Sequence, residues 1–190
     1  MNGPERQHHR QILYNDLLRI TCAPAVAGDP NRPLLASMLA GRRVGLGCLP
    51  HHLGLGEDRC RRLLDEYFPG LPLLPAAAVG ERVPEWDDLR KLLVDHRGHA
   101  HHSELWLADI VTTACGGRDH LWQDLGLADR GELSHLMAIN FPALAQANSG
   151  DMKWKKFLYR QLCALEGIYV CPAPSCGECA DYAKCFSPEI

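Results

Sequence analysis

Four cysteines fall near the C-terminal end, in the run CPAPSCGECADYAKCF, which spaces Cys171, Cys176, Cys179 and Cys185 as C-x4-C-x2-C-x5-C. Sulfur at this density exceeds what packing a core requires. Pro172, Pro174 and Gly177 interrupt regular structure while letting the chain wrap around a centre. Tetrahedral sulfur coordination suits both iron and zinc. Structural zinc sites usually present two short chelating pairs. Here one Cys-x2-Cys pair is flanked by single cysteines at unequal intervals, a layout closer to ferredoxin-type runs. The spacing favours an iron–sulfur cluster, with zinc second and disulfides or inert thiols third. Cys163, upstream of the run, is a further candidate ligand, set against its reading as a buried helix thiol.

The remaining polar chemistry is less concentrated. Nine cysteines is an odd number that one chain cannot pair fully, and Cys22, Cys48, Cys60 and Cys115 are scattered. With no apolar leader at the start, a reducing cytoplasmic setting is expected, where thiols serve packing, catalysis or metal binding. No stretch approaches the ~18 apolar residues of a membrane span. The formal net charge of −3 argues against nucleic acid as a partner, since that affinity comes from Lys and Arg displacing counterions. Lys153, Lys155, Lys156 and Arg160 nonetheless form a run without acidic residues that would raise the local concentration of an anion. Among ten histidines, His120, beside Asp119, is the candidate for a metal-related role. His96, His99, His101 and His102 are read as a solvated helix start, and His8, His9, His51 and His52 as exposed. No nucleophile stands at informative spacing from a base and no phosphate-cradling glycine loop is present, so conventional catalysis is not expected.

These groups must be held by helices, because no period-2 run of β-branched and aromatic residues occurs. The pattern predicts an all-α fold with helices near 5–21, 31–42, 57–67, 85–97, 102–115, 118–125, 130–140 and 152–166. In the last of these, Trp154, Phe157, Leu158, Leu162 and Leu165 form one apolar stripe, with Asp151 as its expected cap and Gly167 as its stop. Pro84 and the acidic residues Glu85, Asp87 and Asp88 mark another start, and Asp129 with Glu132 a third. The proline-rich segment from Phe68 to Pro84 is expected to lie on the helical body through Leu71, Leu73, Leu74 and Val79. Two units are expected: a compact helical domain over 1–167, of which 1–45 carries little information, and a C-terminal cluster-binding segment over 168–190.

The blocks DHLWQDLGL and MKWKKFLYRQLC, followed by the cysteine run, resemble the NifQ family of nitrogen-fixation proteins. Weaker similarity continues upstream through LPHHLGLGEDRCRRLLDEYFPG and WDDLRKLLVDHR. Ser187 departs from the Gly of the family ending, outside the cysteine pattern. The resemblance implies an iron–sulfur protein, with a 3Fe-4S, 4Fe-4S or mixed molybdenum–iron–sulfur centre, that takes up molybdenum for iron–molybdenum cofactor synthesis. Its ligands would be Cys171, Cys176, Cys179 and Cys185. It also implies molybdate as cargo and, as partners, the nitrogenase iron protein and the cofactor scaffold complex. A zinc-stabilised interaction module and a small electron carrier are the competing functions, separable by metal content.

Overall fold

The computed structural model describes residues 3–73, 83–165 and 182–187. Within them the chain forms ten α-helices, one 3-10 turn and no strand: α1 (Gly3–Arg19), the turn Pro24–Val26, α2 (Asn31–Arg43), α3 (Glu57–Tyr67), α4 (Trp86–Asp95), α5 (Ser103–Ala114), α6 (Leu121–Asp124), α7 (Arg130–Asn140), α8 (Pro142–Ala147), α9 (Trp154–Leu165) and α10 (Tyr182–Phe186). The all-α expectation holds for these residues, and no helix among them is long and apolar enough to cross a membrane. The expected boundary at residue 167 and the residues Leu74, Val79, Gly167, Cys171, Cys176 and Cys179 lie outside the described residues.

One core joins the helices. α5 lies at its centre: Leu107, Ala108, Ile110, Val111 and Ala114 are wholly buried, and so are the polar Glu104, Asp109 and Thr112 on its other faces. A helix buried all round must satisfy those polar groups internally. Glu104 does so by accepting the backbone N–H groups of His99 (2.8 Å), Ala100 (2.8 Å) and His101 (3.1 Å). Asp109 takes Arg90 Nε at 2.5 Å and a guanidinium nitrogen of Arg59. Nearby, Asn31 and Asn140 exchange side-chain hydrogen bonds at 2.7 Å, and Asp29 accepts from Ser103 at 2.7 Å and from Tyr67. Leu71 and Leu73 are partly buried against the core, as expected of the proline-rich segment.

Two close approaches need glycine. A Cβ on Gly41 of α2 would stand 2.1 Å from the carbonyl oxygen of Gly126, and one on Gly117 would stand 2.1 Å from Cγ of Asp124. The first lets α2 meet the turn after α6, where the buried Arg10 of α1 also donates to Gly126 O at 3.2 Å. The second lets the chain leaving α5 fold over the Asp124 carboxylate. Thus the first helix, in a stretch with little to read in its sequence, is held by Arg10, by Arg32 of α2 donating to the Leu17 and Leu18 carbonyls, and by the buried Leu17.

Several local expectations are corrected. Asp151 adopts a left-handed conformation (φ 56°) and its carboxylate accepts from Arg130 at 2.7 Å, so it serves the preceding loop rather than capping α9. Leu165 is 70% exposed, whereas Trp154, Phe157, Leu158 and Leu162 are buried as their spacing required. His51 is 8% exposed, not solvated; its neighbour His52 turns back to accept the N–H groups of Gly54 and Gly56, which folds the ring pair into the turn before α3. α8 and α10 were not expected: each is one or two turns long, too short for a periodic pattern to declare itself. The Asp129 cap is present, its carboxylate accepting Glu132 N–H at 2.9 Å.

Candidate metal and anion site

The site begins with a lock between the two blocks that are most distinctive in sequence. Asp124, at the end of α6, is 2% exposed and pairs with the ammonium of Lys155, which also donates to Gly117 O at 2.9 Å. Asp124 further accepts Asp119 N–H at 3.1 Å, and Gln123 Oε1 accepts His120 N–H at 3.1 Å. The loop from Arg118 to His120 is thereby fixed beside the first turn of α9. That turn is positioned in its own right by Asn148, whose side chain donates to Met152 O and accepts Met152 N–H at 2.9 and 3.0 Å.

Onto this base α10 docks. Lys153 N–H donates to the Cys185 carbonyl at 2.8 Å and Lys153 Nζ donates to Ser187 Oγ at 2.8 Å. Cys185 is half-buried and, with Phe186, lies against the core. Phe186 passes over the Cα of Gly150, where an added Cβ would stand 3.6 Å from its ring.

Between the loop, α9 and α10 opens a recess of about 510 Å³ lined by Arg118, Asp119, His120, Leu121, Gln123, Lys153, Lys155, Lys156 and Lys184. Five of the nine are cationic and one is acidic. Asp124 engages Lys155, and among the described residues the cations of the lining still outnumber its one acid, in a chain whose net charge is −3. Each unit charge pair at 4 Å is worth about 1 kcal/mol in water and about 4 kcal/mol near a protein surface, so such a surplus attracts multivalent anions. The recess is open to water, so salt will weaken it.

The structure thus brings together Cys185, His120, Lys153, Lys155 and Lys156, and adds Arg118 and Lys184. Lys155 is corrected from a free anion-attracting group to a structural one, because its charge is engaged by Asp124. Cys163 sits half-buried on α9, about 12 Å further along the helix than Lys155. Among the described residues no three side chains of His, Cys, Asp or Glu come together as a metal-ion site. Before α5, His99 and His102 are exposed, as expected of a solvated helix start, and His102 contacts Glu66 at 3.1 Å and stacks edge-on with Trp106 at 5.0 Å. Asp124 and Arg118 went unread in sequence. The only cue was their place in the DHLWQDLGL block or just before it.

A second cavity, of about 700 Å³, lies on the other side of the same loop and is lined in part by Gly47, Cys48, Gly117 and Trp122. Its thiol is pushed up to about 11 by desolvation and by the nearby Asp124 carboxylate. Burial likewise raises Cys60 to about 11 and Cys115 to about 12. Without a metal these three stay protonated near neutrality; Cys60 and Cys115 are buried in the core, and Cys48 is exposed.

The NifQ family profile matches residues 34–187. The chain belongs to the NifQ family. It is 43% identical to Protein NifQ of Azotobacter vinelandii over 175 residues, covering 84% of this chain and 90% of that protein. It is 36% identical to Protein NifQ of Rhodobacter capsulatus over 170 residues, covering 87% and 93%. A NifQ homolog of Sinorhizobium fredii is 39% identical over 137 residues, 70% of this chain and 60% of that protein. No solved structure matches. Membership of this family ties the chain to nitrogen fixation, and the match spans both the lock between Asp124 and Lys155 and the cysteine run.

Proposed function

We propose that this NifQ protein is an iron–sulfur protein that takes up molybdenum as molybdate and passes it on for synthesis of the nitrogenase iron–molybdenum cofactor. One observation carries the reading: the last cysteine of the run rides on α10 beside a recess lined mainly by basic side chains. Cys171, Cys176, Cys179 and Cys185 would hold the cluster. Thiolate donors fit iron, and a cluster bearing four thiolates is anionic, which the neighbouring Lys153 and Lys184 complement. When bound, the cluster supplies soft sulfur ligands for a metal that arrives surrounded by oxygen.

The chain's own residues have three tasks in this reading. Lys153, Lys156, Lys184 and Arg118 draw the dianion to the recess. The pairing of Asp124 with Lys155 keeps the loop and α9 at a set separation. His120 stands at the recess as a donor for an oxo group. Transfer would then proceed by docking of the receiving protein, the nitrogenase iron protein or the cofactor scaffold complex, against the C-terminal cysteine segment. Protein isolated without air after molybdate feeding is expected to hold iron, acid-labile sulfide and molybdenum and to give a cluster signal by electron paramagnetic resonance. Zinc alone in protein with all four cysteines intact overturns the proposal, and iron without molybdenum turns it into an electron carrier.

A further inference from the structure

Cys185 is held to the helical body through its carbonyl and not its sulfur. Lys153 N–H, one of the donors that the start of α9 leaves without an intrahelical acceptor, meets the Cys185 carbonyl at 2.8 Å, one of the acceptors left over at the end of α10. Lys153 Nζ donates to Ser187 Oγ at 2.8 Å, so one residue grips this end of the chain at two points. Ser187 N–H in turn donates to Ala183 O at 2.9 Å, which ties the gripped residue back into α10. A helix of five residues has too few internal bonds to stand alone in water, so its order depends on docking. Residue 153 is itself fixed. Asn148, 8% exposed, brackets Met152 with two hydrogen bonds, and Arg130 donates to the Asp151 carbonyl at 3.2 Å, holding the left-handed turn there. Two residues on, Lys155 is bonded to Asp124 and Gly117 O, so the stretch that grips Cys185 also holds the loop from Arg118 to His120.

We infer that Lys153 is a positioning residue for Cys185: with Ser187 as its second contact, it presents this thiol at a set place beside the recess before a metal arrives. The inference deepens the iron–sulfur reading and rests on it for the role of Cys185 as a ligand. A ligand already in place loses less conformational freedom on binding, and re-forms its bond faster after breaking, than one that is not held. The bond from Lys153 Nζ to Ser187 adds to the hold without touching the sulfur. Its loss therefore loosens the metal while all four cysteines stay unchanged. Ser187 is neutral, so the hydrogen bond and not the ammonium charge does the positioning. Removing the hydroxyl and removing the ammonium then have the same effect, and removing both has no more than either alone.

The test compares full-length Lys153→Leu, Ser187→Ala and the double variant with wild type, folding being checked by helical circular dichroism. In metal-free protein the protection of the residue-187 amide against hydrogen exchange is expected to fall about fivefold, and equally, in all three variants. After reconstitution with iron and sulfide, a chelator should strip iron about fivefold faster from all three, from an unchanged initial iron content. Ser187→Thr, which keeps the hydroxyl, should restore both rates. Unchanged protection in both single variants overturns the inference. So does lost protection with unaltered iron release, since the anchored helix would then not set the ligand. An effect of Lys153→Leu that Ser187→Ala does not share also overturns it and assigns Lys153 to charge alone. Wild-type protein that takes up zinc in place of iron defeats the iron–sulfur reading, and the same comparison made on zinc release then decides whether Lys153 positions the ligand.

Discussion

Two groups of charge in this molecule use the same components to opposite effect. At Asp109 a wholly buried carboxylate on α5 takes Arg59 and Arg90, and the charges are consumed within a structural joint. At Asp124 a buried carboxylate takes, among the described residues, the one cation Lys155, while Arg118, Lys153, Lys156 and Lys184 line one recess. Both are helix-bound acids close to basic residues, and counting charges along the sequence would not separate them. Reach within each neighbourhood does. Where every base meets the acid, as at Asp109, the group holds helices together; where other cations line the space beside the pair, as next to Asp124, they can hold something else.

The comparison can be broken most forcefully at the lock. Asp124→Ala leaves the partly buried Lys155 ammonium without its partner, and a loss of about 3–5 kcal/mol is expected from urea unfolding. A smaller loss would mean that Lys155 reaches water easily. Asp109→Ala should be milder, about 1.5–3 kcal/mol, because Arg59 and Arg90 are 45% and 35% exposed and can turn to solvent. An inverted order would show that the two carboxylates have been ranked wrongly.

Alkali gives the next effect. Cys60 and Cys115 are raised from 9.0 to about 11 and about 12, chiefly by burial. Between these values the native state keeps protons that the unfolded state has lost, so stability is complete below about pH 9 and falls as pH rises. A decline of about 2–3 kcal/mol between pH 8 and 10 is expected, reduced in the Cys60→Ala, Cys115→Ala protein. The smallest change in stability belongs to Arg118→Gln with Lys156→Gln, within about 0.5 kcal/mol, although the same pair is expected to lower molybdate uptake. A large destabilisation there would mean that those cations, like the pair at Asp109, serve the fold.

Much of the helical body was legible because its signals are local. The stripe on α9, the Asp129 cap and the acidic start of α4 depend on residues within a turn or two of one another. The misreadings have equally physical causes. Asp151 looks like a cap until Arg130, from another helix, claims its carboxylate. His51 looks exposed as part of a polar pair, but its loop is folded inward. Leu165 continues the apolar period past the point where the described core covers it.

The sequence by itself determined the helical periodicities, the sulfur-rich spacing that points to a metal and the blocks that mark the family, all of which are properties of neighbouring residues. Tertiary structure alone decided that Lys155 is spent on Asp124 and that Arg118 and Lys184, far apart in the chain, face one space beside Cys185. Charge acts through distance in space, and only the packed helices set those distances.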